Sequence, residues 1–349
     1  MKTLLLGLKG DFSTRSSGYG IQRYTFELYK RLHLLDKDIL KKEINPIKFV
    51  GNGLSFALKT SFMNFDKYQI VHNLEPVPFL NYKHHRSYIL ITTAHDFQPI
   101  LYPEFTFEHG ATLKNRLWLK LVVEPGFNSA LRSDYMLCNS SQTKEEAIAL
   151  GYPKNRAFVI SHGIDNRFQK PITNKKDNEN FKIGYIGAMR KRKNVEFAIS
   201  AMNKLKDKKI YFDIWGKKEF EYNYLTHIVK NKNIKFKGFA PEHKLIDIYD
   251  SFDLFVFPSY HEGEGLPILE AQARGLPVII YKYGKIPKEV RKYCFEAESP
   301  EHMAQIIENL KENGYNEKLK KKATEYARSF TWERTAKETL EVYKRISKD

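Results

Sequence analysis

The sequence contains few cysteines and no long apolar run, and each absence excludes a class of protein. Its two cysteines, Cys138 and Cys294, lie far apart, which excludes a cysteine-based metal cluster and gives no support for a disulfide framework. No apolar run approaches the ~18 to 20 residues that span a bilayer. The apolar stretch near Met1 is short and lacks a cleavage site, so we interpret it as a strand and not as a secretory signal. A cytoplasmic location is expected.

Acidic residues are scarce relative to basic ones. Lys and Arg number 58 against 41 Asp and Glu, which gives a net charge of +17. Such an excess favours anionic partners: phosphorylated small molecules, acidic lipid surfaces or nucleic acid. The basic residues are spread along the chain, which favours a solvated surface, and no zinc-finger, RNP-like or basic-zipper pattern occurs. No nucleic-acid partner is therefore expected.

Short β-rich runs alternate with longer helical patterns, as in parallel α/β proteins. The predicted strands cover residues 3–8, 47–49, 70–72, 87–93, 135–139, 157–160, 181–187, 210–215, 234–236, 254–258, 277–280 and 294–296. A polar, aperiodic stretch at 167–180 is the predicted linker. The sequence thus predicts two α/β domains, residues 1–166 and 181–330, followed by a helix over 331–347.

The most informative stretch is residues 259–280, SYHEGEGLPILEAQARGLPVII. A predicted strand ends in a loop that contains Gly263 and Gly265, and Pro267 then opens a helix. Glycines let the backbone approach a ligand closely, and the N–H groups at a helix N-terminus attract phosphate. This pattern predicts an anion site.

Two carboxylates accompany the predicted anion site. Glu262 precedes it, and Glu270 lies eight residues further on, inside the predicted helix. A phosphate would repel them unless they accept hydrogen bonds from neutral groups, and sugar and ribose hydroxyls are such donors. The pattern EGxGLPxLEAxAxGxPVI closely resembles the motif of the retaining glycosyltransferases of family 4 (group 1). The resemblance is weaker but collinear over nearly the whole chain.

This resemblance implies a GT-B fold, in which two Rossmann-like domains face a cleft and the last helix crosses back onto the first domain. It also implies that Glu262 holds the hydroxyls of the donor sugar and that Glu270 holds the ribose of the nucleotide. Four successive residues would offer backbone N–H groups to the sugar and diphosphate: Gly263, Glu264, Gly265 and Leu266. Glu264 departs from the family, which usually has an aromatic or small residue between the two glycines.

A basic stretch, IGYIGAMRKRKN, opens the second predicted domain. Open α/β sheets bind ligands at the carboxyl ends of their strands, and Arg192 and Lys193 are suited to neutralise a diphosphate. With Gly187, the stretch resembles the family's G-x-x-x-x-R-K-N/G segment. Many relatives have an arginine where this chain has Ala188, and Arg190 is a supporting candidate that would compensate.

The first domain contributes two further motifs. The loop with Gly18 and Gly20 is not a dinucleotide fingerprint, since Arg23 replaces the third glycine. It resembles the family's G-G-I-x-R-Y loop, whose glycines pass close to the donor phosphate. His95 and Asp96 follow a predicted strand and resemble the family's H-D pair, in which the histidine contacts the donor sugar near its C6 hydroxyl.

A turn at the domain crossover and the last helix also resemble the family. The turn is His162-Gly163-Ile164-Asp165, in which we expect Gly163 to supply a permissive backbone angle. The final stretch, FTWERTAKETLEVY, resembles the family's terminal F-S/T-W-x-x-x-A.

Departure of a nucleotide diphosphate builds negative charge that must be stabilised. The Asp-x-Asp triplet at residues 36–38 is interpreted as surface, so neither a metal nor another cofactor is expected. Arg192, Lys193 and the helix N-terminus after Gly265 would supply the stabilisation, and no glycosidase-like acid pair is evident. The resemblance implies attack from the face that the diphosphate leaves. The candidate catalytic residues are His95, Arg192, Lys193 and Glu262.

The substrates are less defined by the sequence. The expected donor is a nucleotide-diphosphate sugar of UDP or GDP type, and the acceptor is a glycan, a lipid-linked sugar or a small molecule. The segment LKNRLWLKLVV at 113–123 suits either a packed helix, which we favour, or peripheral contact with the inner membrane face. The alternative functions are a non-catalytic nucleotide-sugar-binding protein, a GT-B epimerase and, less favoured, a nucleic-acid-binding protein.

Overall fold

The computed structural model describes residues 1–8, 20–45, 52–75, 87–105, 117, 119–170, 179–219 and 221–348. The chain forms two compact units, Met1–Gly163 with Thr331–Asp349, and Ile164–Phe330. Each unit contains a sheet of six parallel strands. The predicted two-domain α/β fold is confirmed.

The first sheet has the strand order β2-β1-β3-β4-β5-β6. Its strands are β1 (Thr3–Leu8), β2 (Ile39–Ile44), β3 (Ile70–Asn73), β4 (Ile89–Ala94), β5 (Tyr135–Cys138) and β6 (Ala157–Val159). The helices of this unit that precede residue 164 are α1 (Gly20–Leu35), α2 (Asn52–Ser61), α3 (Gln98–Leu101), α4 (Glu124–Leu131) and α5 (Ser141–Ala149). The central strand β3 is buried along its length, as expected for a parallel sheet whose two faces are covered.

The second sheet has the order β12-β11-β10-β7-β8-β9. Its strands are β7 (Phe181–Ile186), β8 (Ile210–Trp215), β9 (Ile234–Gly238), β10 (Leu254–Phe257), β11 (Val278–Tyr281) and β12 (Phe295–Ala297). The helices of this unit are α6 (Val195–Lys204), α7 (Tyr222–His227), α8 (Leu245–Asp250), α9 (Leu266–Ala273), α10 (Lys288–Arg291), α11 (Pro300–Asn313) and α12 (Glu317–Arg328). The chain order reverses between β7 and β10, and open sheets bind ligands at such a switch point.

Strand β2 is absent from the prediction. Its sequence, ILKKEI, buries only its two terminal isoleucines, so it has neither the apolar run nor the alternation that identifies a strand. The strand is defined by its pairing with β1, which provides hydrogen-bond partners for its backbone at the edge of the sheet. The strand that we predicted at residues 47–49 lies outside the described residues.

The domain boundary lies earlier than predicted. The chain passes into the second unit after Gly163, and Asn166–Gln169 forms a short 3-10 helix. Phe168 is fully buried in the core of the second unit, so residues 167–170 belong to that unit and not to a linker. The remainder of the predicted linker lies mostly at residues 171–178, outside the described part of the chain.

The last helix, α13 (Trp332–Ile346), belongs to the first unit. Thr331 caps it by accepting a hydrogen bond from the N–H of Arg334 at 3.1 Å. Trp332 and Tyr343 are buried in the core of this unit. The return of the last helix to the first domain is confirmed.

Gly163 is required by close packing against this helix, and not by its backbone angle as we predicted. It is not among the residues with a positive φ. A Cβ at this position would lie 2.1 Å from the backbone nitrogen of Trp332, and backbone cannot move aside as a flexible side chain can.

Gly163→Ala should therefore destabilise the first unit by about 1–3 kcal/mol, as overpacking does in other proteins. Thermal unfolding of the variant and of Gly20→Ala would test this. A Cβ at Gly20 meets nothing within 4 Å, and alanine is favoured there because Gly20 begins helix α1. Equal melting temperatures for the two variants would contradict the packing argument.

The segment at 113–123 is described only in part. Leu119–Val123 forms a π-helical turn, and the side chain of Leu121 is 67% exposed. Val123 packs against the core of the first unit, and the choice between a packed helix and peripheral membrane contact stays a prediction. Among the described residues, no helix combines the length and apolarity that a membrane crossing requires.

Candidate functional site

The site begins where β7 ends. Lys191–Lys193 forms a 3-10 turn, and Asn194 takes a left-handed conformation with φ 51° before helix α6. The side-chain amide of Asn194 donates to the carbonyl of Pro258 at 3.1 Å. This bond ties the basic turn after β7 to the end of β10, the neighbouring strand at the switch point.

The loop after β10 forms the other half of the site. Gly265 has φ 82° and precedes helix α9 with Pro267 in the first turn, as the sequence predicts. The loop is held from both sides, because Tyr260 N–H donates to the carbonyl of Arg192 at 2.8 Å and Glu262 N–H donates to that of Lys285 at 2.9 Å. The backbone of this loop is therefore fixed relative to the basic turn.

Three of the predicted residues meet at this point. The Nζ atom of Lys193 lies 2.6 Å from Oε1 of Glu262, and Nη1 of Arg192 lies 3.7 Å from Oε2. Arg192 also donates to the carbonyl of His261 at 3.2 Å. Glu262 is only 6% exposed, so this is a buried carboxylate held between two cations.

The charge of Glu262 is set by these neighbours. Burial raises the pKa of its carboxyl group, but the positive charges of Lys193 and Arg192 outweigh burial and hold the pKa below its ordinary value. The carboxylate is therefore ionised at neutral pH and acts as a hydrogen-bond acceptor only. Hydroxyl groups of a ligand are suitable partners.

Glu270 lies in helix α9, eight residues after Glu262. It is 5% exposed, and its Oε2 atom accepts a hydrogen bond from the hydroxyl of Tyr249 at 2.9 Å. Gly263, Glu264 and Leu266 lie where the sequence places them, in the loop and first turn of α9. Glu264 is partly exposed, unlike the buried Glu262 and Glu270.

Gly187 marks a close approach between the ends of β7 and β8. Its N–H donates to the carbonyl of Trp215 at 2.9 Å. A Cβ on Gly216 would lie 1.8 Å from the carbonyl oxygen of Gly187. Gly216 was not predicted, although it directly follows the predicted strand at 210–215, much as Gly187 ends the predicted strand at 181–187.

Arg190 is bonded elsewhere. Its guanidinium pairs with Glu219, and its side chain is 44% exposed. In the structure it does not join the group formed by Arg192, Lys193 and Glu262. Among the described residues, no three His, Cys, Asp or Glu side chains are placed to hold a metal ion.

His95 and Asp96 belong to the first unit and directly follow β4. The Nε2 atom of His95 lies 3.0 Å from the carbonyl oxygen of Leu74, and the His95 carbonyl accepts from the Asn139 amide at 2.8 Å. Asp96 accepts from the N–H of Gln98 at 3.3 Å, at the start of α3. Asp96 thus has a local structural role, and its supporting role at the site stays a prediction.

The ring of His95 lies in an aromatic cluster. It packs edge-on against Tyr24 and His162, with centroids 5.1 and 5.5 Å away. Burial, together with the proximity of His162, lowers the pKa of His95 to about 3, so the ring is neutral at pH 7.

Of the two glycines in the opening loop, Gly20 begins α1 and Gly18 lies outside the described residues.

Two further residues, Tyr249 and Lys285, contact Glu270 and the Glu262 loop respectively and were not predicted. No local pattern identifies them, since each acts through a contact with a residue distant in the chain. Tyr249 is a buried tyrosine of α8, and Lys285 contributes its backbone N–H and carbonyl.

Sequence comparison relates both units to known families. Residues 165–330 match the family described as glycosyl transferases group 1, and residues 42–168 match Glycosyltransferase Family 4. O-antigen chain mannosyltransferase B of Escherichia coli is 24% identical, in an alignment that covers 97% of this chain and 100% of that protein.

Solved structures show the same fold. Sucrose-phosphate synthase from Thermosynechococcus elongatus superposes with a TM-score of 0.74 at 16% identity, covering 99% of this chain and 98% of that one. HepE from Anabaena, in complex with UDP and glucose, superposes with a TM-score of 0.69 at 19% identity, covering 99% of both chains. The predicted GT-B fold is confirmed.

Proposed function

Because the chain belongs to the group 1 glycosyltransferase family, we propose that it is a retaining, metal-independent hexosyltransferase. Its donor would be a nucleotide-diphosphate sugar of UDP or GDP type, and its acceptor a glycan, a lipid-linked sugar or a small molecule. The observation that carries the proposal is the buried, ionised Glu262 between Lys193 and Arg192 at the switch point of the second sheet.

In the proposed reaction, Glu262 accepts hydrogen bonds from hydroxyls of the donor sugar. Arg192 and Lys193 stabilise the charge that grows on the departing diphosphate, together with the N–H groups at the start of α9. The bond between the anomeric carbon and the phosphate oxygen breaks, and a bond to the acceptor oxygen forms on the same face. The proton of the acceptor hydroxyl passes to the departing phosphate oxygen. No side chain is then needed as a nucleophile.

Related proteins support the choice of donor. The Anabaena structure named above contains UDP and glucose, and other structures of the same protein contain UDP or UDP-glucose. The Escherichia coli relative is named as a mannosyltransferase. Contact of His95 with the donor sugar, contact of Glu270 with the ribose, and peripheral membrane association through the exposed Leu121 are further parts of the proposal.

A screen of UDP-, GDP- and ADP-sugars for donor hydrolysis and transfer, with EDTA present, tests the proposal. We expect one nucleotide to be released in an EDTA-insensitive reaction that Glu262→Ala and Lys193→Ala abolish. Arg190→Ala is the matched control, since its exposed pairing with Glu219 lies apart from the cluster.

Other outcomes would favour the alternatives. A nucleotide that raises the melting temperature without turnover would favour a non-catalytic binding protein. Conversion of the sugar without transfer would favour an epimerase. If no nucleotide stabilises the fold, the proposed function fails.

A further inference from the structure

A cluster of tyrosines lies beside Glu262 on the second unit. Tyr283 is 63% exposed and Tyr260 is 37% exposed. Tyr281 lies between them, with edge-to-face contacts of 5.6 Å to each. Phe197 packs against Tyr281 with ring centroids 5.0 Å apart, so the cluster is held against helix α6. Large exposed rings grouped in this way mark binding surfaces more often than single exposed residues do.

The backbone fixes this cluster relative to the carboxylate. Lys285 N–H donates to the Tyr260 carbonyl at 2.7 Å, and Glu262 N–H donates to the Lys285 carbonyl at 2.9 Å, which forms one isolated parallel bridge between His261 and Lys285. Tyr260 and Glu262 flank His261 in this bridge, so the backbone of Tyr260 is held two residues from Glu262.

We propose that Tyr260 and Tyr283, supported by Tyr281, form a carbohydrate subsite that packs against a pyranose ring of the acceptor glycan. This inference rests on the proposed function. A pyranose presents C–H groups on one face and hydroxyls at its rim, and tyrosine offers an apolar ring with a polar tip. The subsite limits the class of acceptor to glycans or glycosides that contain a pyranose ring able to pack against these tyrosines.

The position of the cluster favours a sugar over other occupants. Glu262 is the group assigned to the donor sugar, and the bridge ties the backbone of both Tyr260 and Glu262 to Lys285. A protein partner would require a larger continuous apolar surface. The competing small ligand is the nucleotide base, which nucleotide affinity tests directly.

Saturation-transfer NMR with trisaccharides of mannose, glucose, galactose and N-acetylglucosamine, in the presence of UDP or GDP, tests the subsite. We expect at least one trisaccharide to bind wild type and to bind Tyr260→Ala and Tyr283→Ala about five- to tenfold more weakly. Tyr260→Phe retains the ring and should bind nearly as wild type does. Tyr211→Ala is the matched control, because Tyr211 lies at the opposite, amino end of β8.

Nucleotide affinity, measured by calorimetry on the same variants, separates the outcomes. Unchanged nucleotide affinity with weakened trisaccharide binding supports the subsite, and a raised acceptor KM at constant kcat would agree with it. The subsite is overturned if no trisaccharide binds, if the tyrosine variants bind normally, or if they lose nucleotide affinity instead. Absence of nucleotide binding in wild type would count against the proposed function itself.

Discussion

Lys193→Met should destabilise the second unit by about 3 kcal/mol, since removing one partner of a buried ion pair leaves the other charge uncompensated. Both residues are largely buried, at 9% exposure for Lys193 and 6% for Glu262. Arg192 is farther from the carboxylate, at 3.7 Å, and compensates only in part. The pKa of Glu262 should rise in this variant, because the nearer of its two cations is lost.

The double variant Lys193→Met/Glu262→Gln separates stability from function. It replaces the pair with neutral groups of similar size, so most of the lost stability should return. Activity should not return, because both the carboxylate and the cation assigned to the donor are missing. Urea unfolding at pH 7 and donor hydrolysis on the same preparations measure the two effects.

Arg190→Met is the control for this cycle. It breaks an ion pair whose arginine is 44% exposed, and exposed pairs contribute about 0–1 kcal/mol. Normal stability of Lys193→Met would show that the carboxylate does not depend on Lys193. Recovery of turnover in the double variant would remove both residues from the proposed reaction.

Lowering the pH from 6 to 5 should destabilise the first unit by about 2 kcal/mol through His72 and His95. Burial, with a smaller effect of His95, lowers the pKa of His72 to about 3, and that of His95 is similarly low. The unfolded chain binds these protons near pH 6.5, whereas the folded chain does not. Stability is therefore complete above pH 6.5 and falls as the pH decreases towards 3.

Both ring nitrogens of His72 contact neutral hydroxyl groups. Its Nε2 atom lies 2.8 Å from the hydroxyl oxygen of Thr93, and its Nδ1 atom bonds the hydroxyl of Tyr343 in α13. Protonation would add a charge among buried neutral groups. The acid sensitivity should therefore appear where α13 packs on the first sheet.

Hydrogen exchange of peptides covering β3 and β4, corrected for the intrinsic effect of pH, would measure this dependence. His72→Gln should remove about half of it, and His227→Gln is the matched control for removal of an exposed imidazole. If the pH dependence of hydrogen exchange is the same in His72→Gln as in wild type, His72 does not cause the acid sensitivity. Measurements should stay above pH 5, because the lowered pKa of Glu262 adds a separate loss of stability at lower pH.

Much of the site was predictable because its determinants are local. A glycine loop after an apolar strand, a proline in the first helical turn and an Arg-Lys pair after a second strand each follow from a short stretch. The structure places Gly265 at φ 82° before α9 and brings Glu262 to Lys193. Parallel strands align their carboxyl ends at one edge of a sheet, so residues after β7 and β10 meet once these strands are neighbours.

Contacts between distant segments were not predictable, since periodicity carries no information on which segment packs where. The exposed edge strand β2 has no apolar pattern and is defined by its pairing with β1. The Glu270 partner Tyr249 and the role of Gly163 likewise depend on residues brought close only by packing.

The sequence by itself determined the two α/β domains and the residue types of the proposed donor site, and its resemblance to the family indicated the return of the last helix. Only the tertiary structure decided that Glu262 is ionised between two cations, that Arg190 bonds Glu219 instead, and that tyrosines line the neighbouring surface. The physical reason is that turn chemistry and hydrophobic period act over a few residues, whereas burial and charge pairing depend on neighbours that folding brings together from distant parts of the chain.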